Sequence, residues 1–173
     1  MCLNIGMSYL FKNRGMLLET IINQTNEFYL RNNICMIHKK NLDIKFKSVT
    51  YENENLNLDK AIIKGKSSVD YYGVCKGKFL AFEAKSTEDN TLPLSNIREH
   101  QITYLNMVEK HQGIAFWIIY FKIQNVFLLV LHKDLINALK NKKSLHYDEA
   151  LKIGKKLTLS FPGILNFIEN LTF

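Results

Sequence analysis

A predicted β-hairpin brings two carboxylates and a lysine together, and such a set could hold a metal ion. The hairpin is the segment Ser68–Lys85, which reads SVDYYGVCKGKFLAFEAK. Two β-rich runs flank Lys76-Gly77, and glycine supplies the positive φ that a tight hairpin turn requires. With a two-residue turn, Cys75 pairs with Lys78, and this pair sets the register of the hairpin.

That register places the two acids opposite each other. Counting outward from the turn sets Asp70 opposite Glu83 and Ser68 opposite Lys85, so all four side chains point to one face of the sheet. Directly opposed carboxylates repel each other unless a cation lies between them. The other positions are mostly apolar, so we expect both faces of the hairpin to be buried. The alternative is an ordinary hairpin with the acids at its rim and Lys85 paired to one of them.

The chemistry that suits these residue types is phosphodiester hydrolysis. Carboxylate oxygens are hard ligands that bind Mg²⁺, and a divalent ion can polarise a phosphate, activate water and stabilise the leaving oxygen. A neighbouring lysine can neutralise the charge that develops in the transition state. Asp70 and Glu83 are therefore candidate metal ligands, and Lys85 is a candidate catalytic residue.

The composition indicates a globular protein with an anionic partner. The 173 residues are 47% hydrophobic, which is enough for the core of a single domain over 1–173. The longest apolar stretches are too short to span a bilayer and no signal-peptide pattern opens the chain, so we expect a cytoplasmic protein with no membrane partner. The three cysteines lack metal-binding spacing. The net charge of +7 favours a polyanion such as nucleic acid.

The order of the predicted elements indicates an α/β domain whose central mixed sheet is flanked by helices. An amphipathic helix is predicted over 15–33, with Glu19 off its apolar stripe. A basic excursion from the core is predicted over 38–66, with a half-exposed strand over 43–51 and a turn-like stretch over 52–57. After the hairpin, strands are predicted over 114–121 and 126–132, and helices over 134–140, 147–153 and 163–171.

Another helix, between the hairpin and these strands, places an amide on an apolar face. It is predicted to begin at Ser95 or Asn96, where Glu99 could complete a capping box, and to end at Gly113. Gln101 lies on the inner face of this helix. A buried amide requires hydrogen-bond partners, and a backbone group is the ordinary one.

Several separated motifs resemble a known family of nucleases. The spacing D-x(12)-E-x-K is the pattern of the restriction-endonuclease-like nucleases. More closely, the chain from Arg14 almost to its C-terminus is similar to the RecU-type Holliday junction resolvases. The motifs are R-G-M-x-L-E at Arg14–Glu19, T-N-x-x-Y at Thr25–Tyr29, I-H-K-K at Ile37–Lys40, S-S-V-D-Y-Y-G-V at Ser67–Val74, F-E-A-K at Phe82–Lys85, P-L-x-N-I-x-E-H-Q at Pro93–Gln101 and H-x-G-I-x-F at His111–Phe116.

The resemblance implies a restriction-endonuclease-like core and a homodimeric endonuclease that requires Mg²⁺, with Mn²⁺ as a substitute. Such an enzyme cuts four-way DNA junctions during homologous recombination and DNA repair, and a RecA-type recombinase is an expected partner. Lys85 would be the transition-state stabiliser, and Glu19 matches an acidic helical position near the active site. The implied metal ligands are Ser68, Asp70, Glu83 and Gln101, with Ser68 standing where threonine is usual.

By the same resemblance, the excursion over 38–66 corresponds to a stalk that projects into the junction. Its lysines would contact phosphates rather than read bases. These lysines are Lys39, Lys40, Lys45, Lys47, Lys64 and Lys66.

Two alternative functions remain open. One is a nuclease of the same fold that acts on DNA ends or plain duplex. The other is a catalytically silent protein that binds junctions or assists a recombinase. The five histidines show no zinc-protease or nucleophile-elbow context, so none is assigned to catalysis.

Overall fold

The structure, a computed structural model, describes residues 16–41, 44–52, 55–63 and 68–173. The helices are α1 (Met16–Arg31), α2 (Glu99–Lys110), α3 (His132–Leu139) and α4 (Tyr147–Ile153), with 3₁₀ turns at Leu94–Asn96 and Ile168–Asn170. The strands are β1 (Met36–Lys39), β2 (Ile44–Lys45), β3 (Ser48–Glu52), β4 (Asn55–Asp59), β5 (Ile62–Ile63), β6 (Tyr71–Cys75), β7 (Lys78–Thr87), β8 (Thr91–Pro93), β9 (Ile114–Phe121), β10 (Val126–Leu131), β11 (Ser144–His146), β12 (Gly154–Leu157), β13 (Leu159–Ser160) and β14 (Ile164–Leu165).

A six-stranded mixed sheet forms the centre of the molecule. Its strand order is β1-β6-β7-β9-β10-β12. Neighbouring strands are antiparallel except β7 and β9, which run parallel and are connected through α2. Nearly all of β9 is buried, as expected for an unbroken apolar run in a central strand that is covered on both faces.

Each face of the sheet packs against its own apolar cluster. On one face, α1 contributes Leu18, which joins Phe82 of β7. On the other face, α2 and α3 contribute Leu105 and Leu135, which join Trp117 of β9. Helices therefore flank a central mixed sheet, and the predicted α/β class is confirmed. None of the helices in the described part of the chain is long and apolar enough to cross a membrane.

Helix α1 has the predicted position, and its buried stripe departs from the predicted apolar pattern at a few residues. The helix spans Met16–Arg31 where 15–33 was predicted, and Leu17 and Phe28 are exposed although they fit the apolar pattern. Thr25 and Asn26 are buried instead. Thr25 is accommodated because its Oγ1 donates to Ile21 O and accepts a hydrogen bond from Leu165 N.

The predicted helix over 163–171 is wrong. The chain there forms strand β14 and a 3₁₀ turn, although its apolar residues follow helical spacing. Its backbone is held by α1, because Leu165 N donates to Thr25 Oγ1 and Ile168 N donates to Tyr29 Oη. Long-range contacts therefore decide the conformation of this segment.

The start of α2 also differs from the prediction. Ser95 and Asn96 lie in a 3₁₀ turn, and α2 begins at Glu99 with Arg98 as its N-cap residue. A side chain of α2 itself caps the first turn of the helix, because Gln101 Oε1 accepts a hydrogen bond from Arg98 N at 3.0 Å. The predicted capping box between Asn96 and Glu99 is therefore wrong.

The excursion contains a two-stranded antiparallel ribbon over 44–52 and 55–63, which we call the arm. Strand β2 pairs with β5 and β3 pairs with β4 in one continuous register. The side chains described for 44–51 are all exposed, whereas a half-exposed strand was predicted here. The stretch from Glu52 to Asn57, which was predicted to be a turn, includes the start of β4.

Candidate active site

The β6–β7 hairpin has the predicted register. Lys76 and Gly77 both have positive φ and form the turn, and Cys75 pairs with Lys78. The prediction that both faces are buried is wrong, because Val74 and Phe79, on the face that carries the acids, are 42% and 39% exposed. These residues lie near the turn, at the end of the hairpin away from the acids.

The hairpin brings Asp70 and Glu83 together at its open end. Asp70 precedes the first residue of β6, and its backbone N–H donates to Glu83 Oε1 at 3.1 Å. The Asp70 carboxylate in turn accepts a hydrogen bond from Ala84 N at 3.1 Å. Each acid is thus fixed by the backbone of the opposite strand, and the two carboxyl groups face each other.

Glu83 is fully buried and carries an altered acidity. Burial and, after it, the negative charge of Asp70 raise the pKa of Glu83 to about 8, although the Lys85 ammonium opposes both effects. Lys85 Nζ lies 3.2 Å from Glu83 Oε2, with 16% of the lysine side chain exposed. One ammonium therefore does not compensate two facing carboxylates.

Gln101 reaches the same cluster from α2. Its Nε2 donates to Glu83 Oε2 at 2.6 Å, while its Oε1 accepts from Arg98 N. The predicted inner-face position is confirmed by its burial. In this arrangement the amide turns its nitrogen toward the acids, so a role as metal ligand would require the amide to rotate and give up the Arg98 bond. That role stays a prediction.

Ser68 does not follow the predicted ladder. The β6–β7 pairing begins with Tyr71 and Phe82, so Ser68 and Lys85 are not a ladder pair. Val69, predicted on the face opposite the acids, packs in the cluster of Ala81 on the acid face. Regular alternation ends at Asp70, and Ser68 lines a cleft along the first turns of α2. The role of Ser68 as a metal ligand stays a prediction.

Glu19 lies beside Asp70, on the side of the hairpin that faces α1. Glu19, Asp70, Lys39 and Ser86 line a small cavity of about 100 Å³. The Glu19 carboxylate forms an ion pair with Lys39, and both side chains are about half exposed. The structure therefore places the predicted acidic helical residue near the cluster, paired with one of the lysines that were predicted to contact DNA.

Of the other predicted DNA-binding lysines, those that the structure describes lie on or beside the arm. Lys45 and Lys47 are exposed on the arm. Lys40 is half-buried, and its backbone N–H donates to Asp70 O at 2.7 Å, which connects the base of the arm to the acid cluster. Lys64 and Lys66 lie outside the described residues.

The acid cluster fits a hard divalent cation. Two carboxyl groups within hydrogen-bonding reach of each other, one fully buried and protonated at neutral pH, are the arrangement that a cation would stabilise. The donors are carboxylate oxygens, which Mg²⁺ and Mn²⁺ bind readily. Among the described residues no group of three or more His, Cys, Asp or Glu side chains is placed to hold a metal. A cation here would therefore depend on two acids, neutral oxygen donors and water.

Sequence reasoning assigned no role to Trp117, which adjoins the cluster. Trp117 is in register with Glu83 across the β7–β9 pair, and the Lys85 Nζ lies 6.0 Å from the centre of its ring. Local spacing could not identify it, because a parallel pair joins strands that are distant in sequence.

Comparisons with known proteins agree with this arrangement of motifs. The family model described as RecU, recombination protein U, matches residues 13–173. A Holliday junction resolvase RecU of Mycoplasmopsis pulmonis is 38% identical over 157 residues, covering 91% of this chain and 92% of that protein. The RecU resolvase of Bacillus pumilus is 36% identical, covering 92% of this chain and 80% of that protein. That of Oceanobacillus iheyensis is 42% identical, covering 80% and 74%.

A solved structure, that of the Holliday junction resolvase Hjc from Archaeoglobus fulgidus, aligns with 75% of this chain and 88% of its own at a TM-score of 0.47 and 10% identity. The family match covers nearly the whole chain and includes the strands and helix that carry the acid cluster. The predicted resemblance is thereby confirmed, and the chain belongs to the RecU family.

Proposed function

We propose that this protein is a divalent-metal-dependent endonuclease that resolves four-way DNA junctions in recombination and repair, with Mg²⁺ as its ion and Mn²⁺ as a substitute. Relatives that match most of the chain are named Holliday junction resolvases. The observation that carries the proposal is the cluster of Asp70, Glu83 and Lys85 at the open end of the hairpin. Buried facing acids beside an ammonium suit phosphodiester hydrolysis.

Asp70 and Glu83 would hold the ion through their carboxylates. When bound, a divalent ion supplies Lewis acidity at the phosphate and lowers the pKa of a coordinated water. The backbone bonds to Asp70 and Glu83 keep both acids in place before substrate arrives. Gln101 and Ser68 are the proposed neutral ligands, and each would have to turn its oxygen toward the acids.

Lys85 would neutralise the charge that builds on the phosphate oxygens. Its ammonium already lies in the cluster, held against Glu83, and is mostly shielded from water. A shielded ammonium acts more strongly on a developing anion than an exposed one, because solvent screens it less. Glu19, beside Asp70, is the proposed third acid of the site.

The arm is the proposed contact to the junction. It carries Lys45 and Lys47, and the adjoining Lys39 and Lys40 connect it to the acid cluster. A four-way junction presents two backbones that are cut in a symmetric way, which a homodimer with two such sites would serve. A RecA-type recombinase is the proposed protein partner.

The test is cleavage of a synthetic four-way junction with Mg²⁺. We expect Asp70→Asn and Lys85→Ala each to reduce the single-turnover cleavage rate by about 10²–10³-fold while junction affinity stays close to that of the wild type. Lys78→Ala is the matched control, because Lys78 lies on the same strand near the turn.

Two outcomes distinguish the alternatives. Wild-type protein that binds the junction and never cuts it, with either Mg²⁺ or Mn²⁺, would indicate a silent junction-binding protein and contradict the proposal. Equal cleavage of junction, duplex and single-stranded DNA would indicate a nuclease of the same family that acts on other DNA.

A further inference from the structure

A chain of hydrogen-bonded polar side chains, buried at Trp117 and His132 and exposed at Asn106, ends at the candidate active site. Trp117 lies on β9, on the face that carries Glu83 and Lys85, and its ring forms a wall beside the Lys85 ammonium. Its indole Nε1–H donates to His132 Nδ1 at 3.0 Å. His132 Nε2 lies 3.0 Å from Asn106 Oδ1. The proposed function makes no use of His132 or Asn106.

These contacts determine the tautomer of His132. An indole N–H can only donate, so His132 Nδ1 carries no proton and accepts. The proton of the neutral ring then lies on Nε2, which donates to Asn106 Oδ1. Burial lowers the pKa of His132 to about 4, so the ring is neutral at physiological pH. Both ring nitrogens are satisfied in this one tautomer only.

The orientation of Trp117 is therefore fixed by more than packing. The planes of the indole and imidazole rings differ by 19° and their centroids lie 6.1 Å apart, a geometry that allows the direct hydrogen bond between the ring edges. Asn106 belongs to α2, the helix that also supplies Gln101 to Glu83. The same helix thus contacts the acid cluster directly and through the tryptophan.

We propose that Trp117 is a positioning residue for Lys85, and that His132 and Asn106 hold the indole in the orientation that directs the lysine ammonium toward Glu83. The face of an indole attracts an ammonium within about 6 Å and excludes water from one side of it. Without the ring, the flexible four-carbon stem of Lys85 would sample other directions. The effect on cleavage rests on the proposed function, whereas the contact itself does not.

The first experiment tests the contact without cleavage. Trp117 is the only tryptophan of the chain, so its fluorescence reports this position alone. We expect Lys85→Met to change the emission maximum or yield of Trp117. Lys78→Met, seven residues away on the same strand and about 23 Å distant, should leave both unchanged. Identical emission from the wild type and Lys85→Met would overturn the contact and the proposal.

The second experiment tests positioning by single-turnover cleavage of a junction. We expect Trp117→Leu to cleave about 10²-fold more slowly, because a small displacement of a catalytic group is costly, with junction affinity within about twofold of the wild type. Trp117→Phe retains an aromatic face but loses the hydrogen bond to His132, so its rate should fall between those of Trp117→Leu and the wild type. A purely structural role would instead affect stability without separating rate from affinity.

A third variant covers the case in which Trp117→Leu does not fold. Asn106 is exposed on α2, so Asn106→Ala should fold while it removes the acceptor of the His132 Nε2 proton. We expect about a fivefold lower cleavage rate and an altered Trp117 emission, with Met107→Ala on the same helix as the unchanged control. Wild-type rates in folded Asn106→Ala, or in folded Trp117→Leu, would overturn the proposal.

The cleavage rates also distinguish a failure of the positioning role from a failure of the proposed function. A wild type that cuts, with Trp117→Leu equally fast, removes the positioning role alone. A wild type that never cuts removes the nuclease function and the positioning role with it, whatever the emission of Trp117 shows.

Discussion

At the level of single residues, Glu83 lies in an environment that disfavours its charged form. Its carboxyl is fully buried and accepts hydrogen bonds from Asp70 N and Gln101 Nε2. Burial and the facing Asp70 raise its pKa to about 8, and Lys85 only partly counteracts them. Without a divalent ion, this acid is therefore protonated at neutral pH, although its ordinary pKa lies near 4.3.

We expect divalent-ion binding to release a proton from Glu83 near neutral pH. Because the pKa is raised to about 8, the ion competes with a proton below that pH. Apparent affinity should therefore rise by up to about tenfold per pH unit toward pH 8 and level off above it. Calorimetric titration of Mn²⁺ in two buffers of different ionisation enthalpy measures the released proton. Glu83→Gln should release none, and a wild type that releases none at pH 7 would contradict the raised pKa.

At the level of elements, local features of the sequence predicted the hairpin and its register. Lys76-Gly77 permits one tight turn, and that turn fixes which residues face each other. The convergence of Asp70, Glu83 and Lys85 followed from this one local element, which is why spacing alone could indicate it. Alternation failed only beyond Asp70, where the ladder ends and Val69 turns to the other face.

Contacts between distant segments could not be predicted in the same way. The segment over 163–171 has helical spacing but is held in an extended and 3₁₀ conformation by Thr25 and Tyr29 of α1. Trp117 reaches Lys85 only through the parallel pairing of β7 and β9. Gln101 was assigned to the site through the family resemblance, and the geometry adds that its amide also closes the first turn of α2.

We expect Gly73→Ala to weaken the attachment of edge strand β1 to the sheet. A Cβ at this position would lie 2.1 Å from Met36 O, so the two strands would have to separate. Overpacking of this kind costs about 1–3 kcal/mol or more in the free energy of unfolding. Gly77→Ala is the control, because it meets no atom within 4 Å and has only the cost of its φ of +76°. Urea unfolding of both variants measures the difference, and equal midpoints would contradict it.

At the level of the whole molecule, the arm carries part of the positive charge of the protein. The chain has a net charge of +7, and Lys45 and Lys47 are exposed there. Elsewhere some lysines are neutralised by acids, such as Lys122 by Glu88 and Lys142 by Glu149. Unneutralised exposed lysines are the ones that release counterions when they meet phosphate.

We expect the arm lysines to govern the salt dependence of junction binding. In Lys45→Ala/Lys47→Ala, the slope of log affinity against log salt should become shallower by about two, since each phosphate contact contributes roughly one. Lys122→Ala/Lys142→Ala removes the same charge from residues that are already paired, and should leave the slope nearly unchanged. Equal slopes in both double variants would exclude the arm as a phosphate-binding surface. Fluorescence anisotropy at several salt concentrations provides the measurement.

The two hydrogen bonds of Gln101 connect the candidate site to the position of α2. One amide joins the backbone of Arg98 to the carboxyl of Glu83. A nucleic-acid strand that bound against Arg98 and shifted the amino end of α2 would weaken these hydrogen bonds. The pKa of Glu83 would then change. DNA binding and metal-ion binding would then be coupled through the side chain of Gln101.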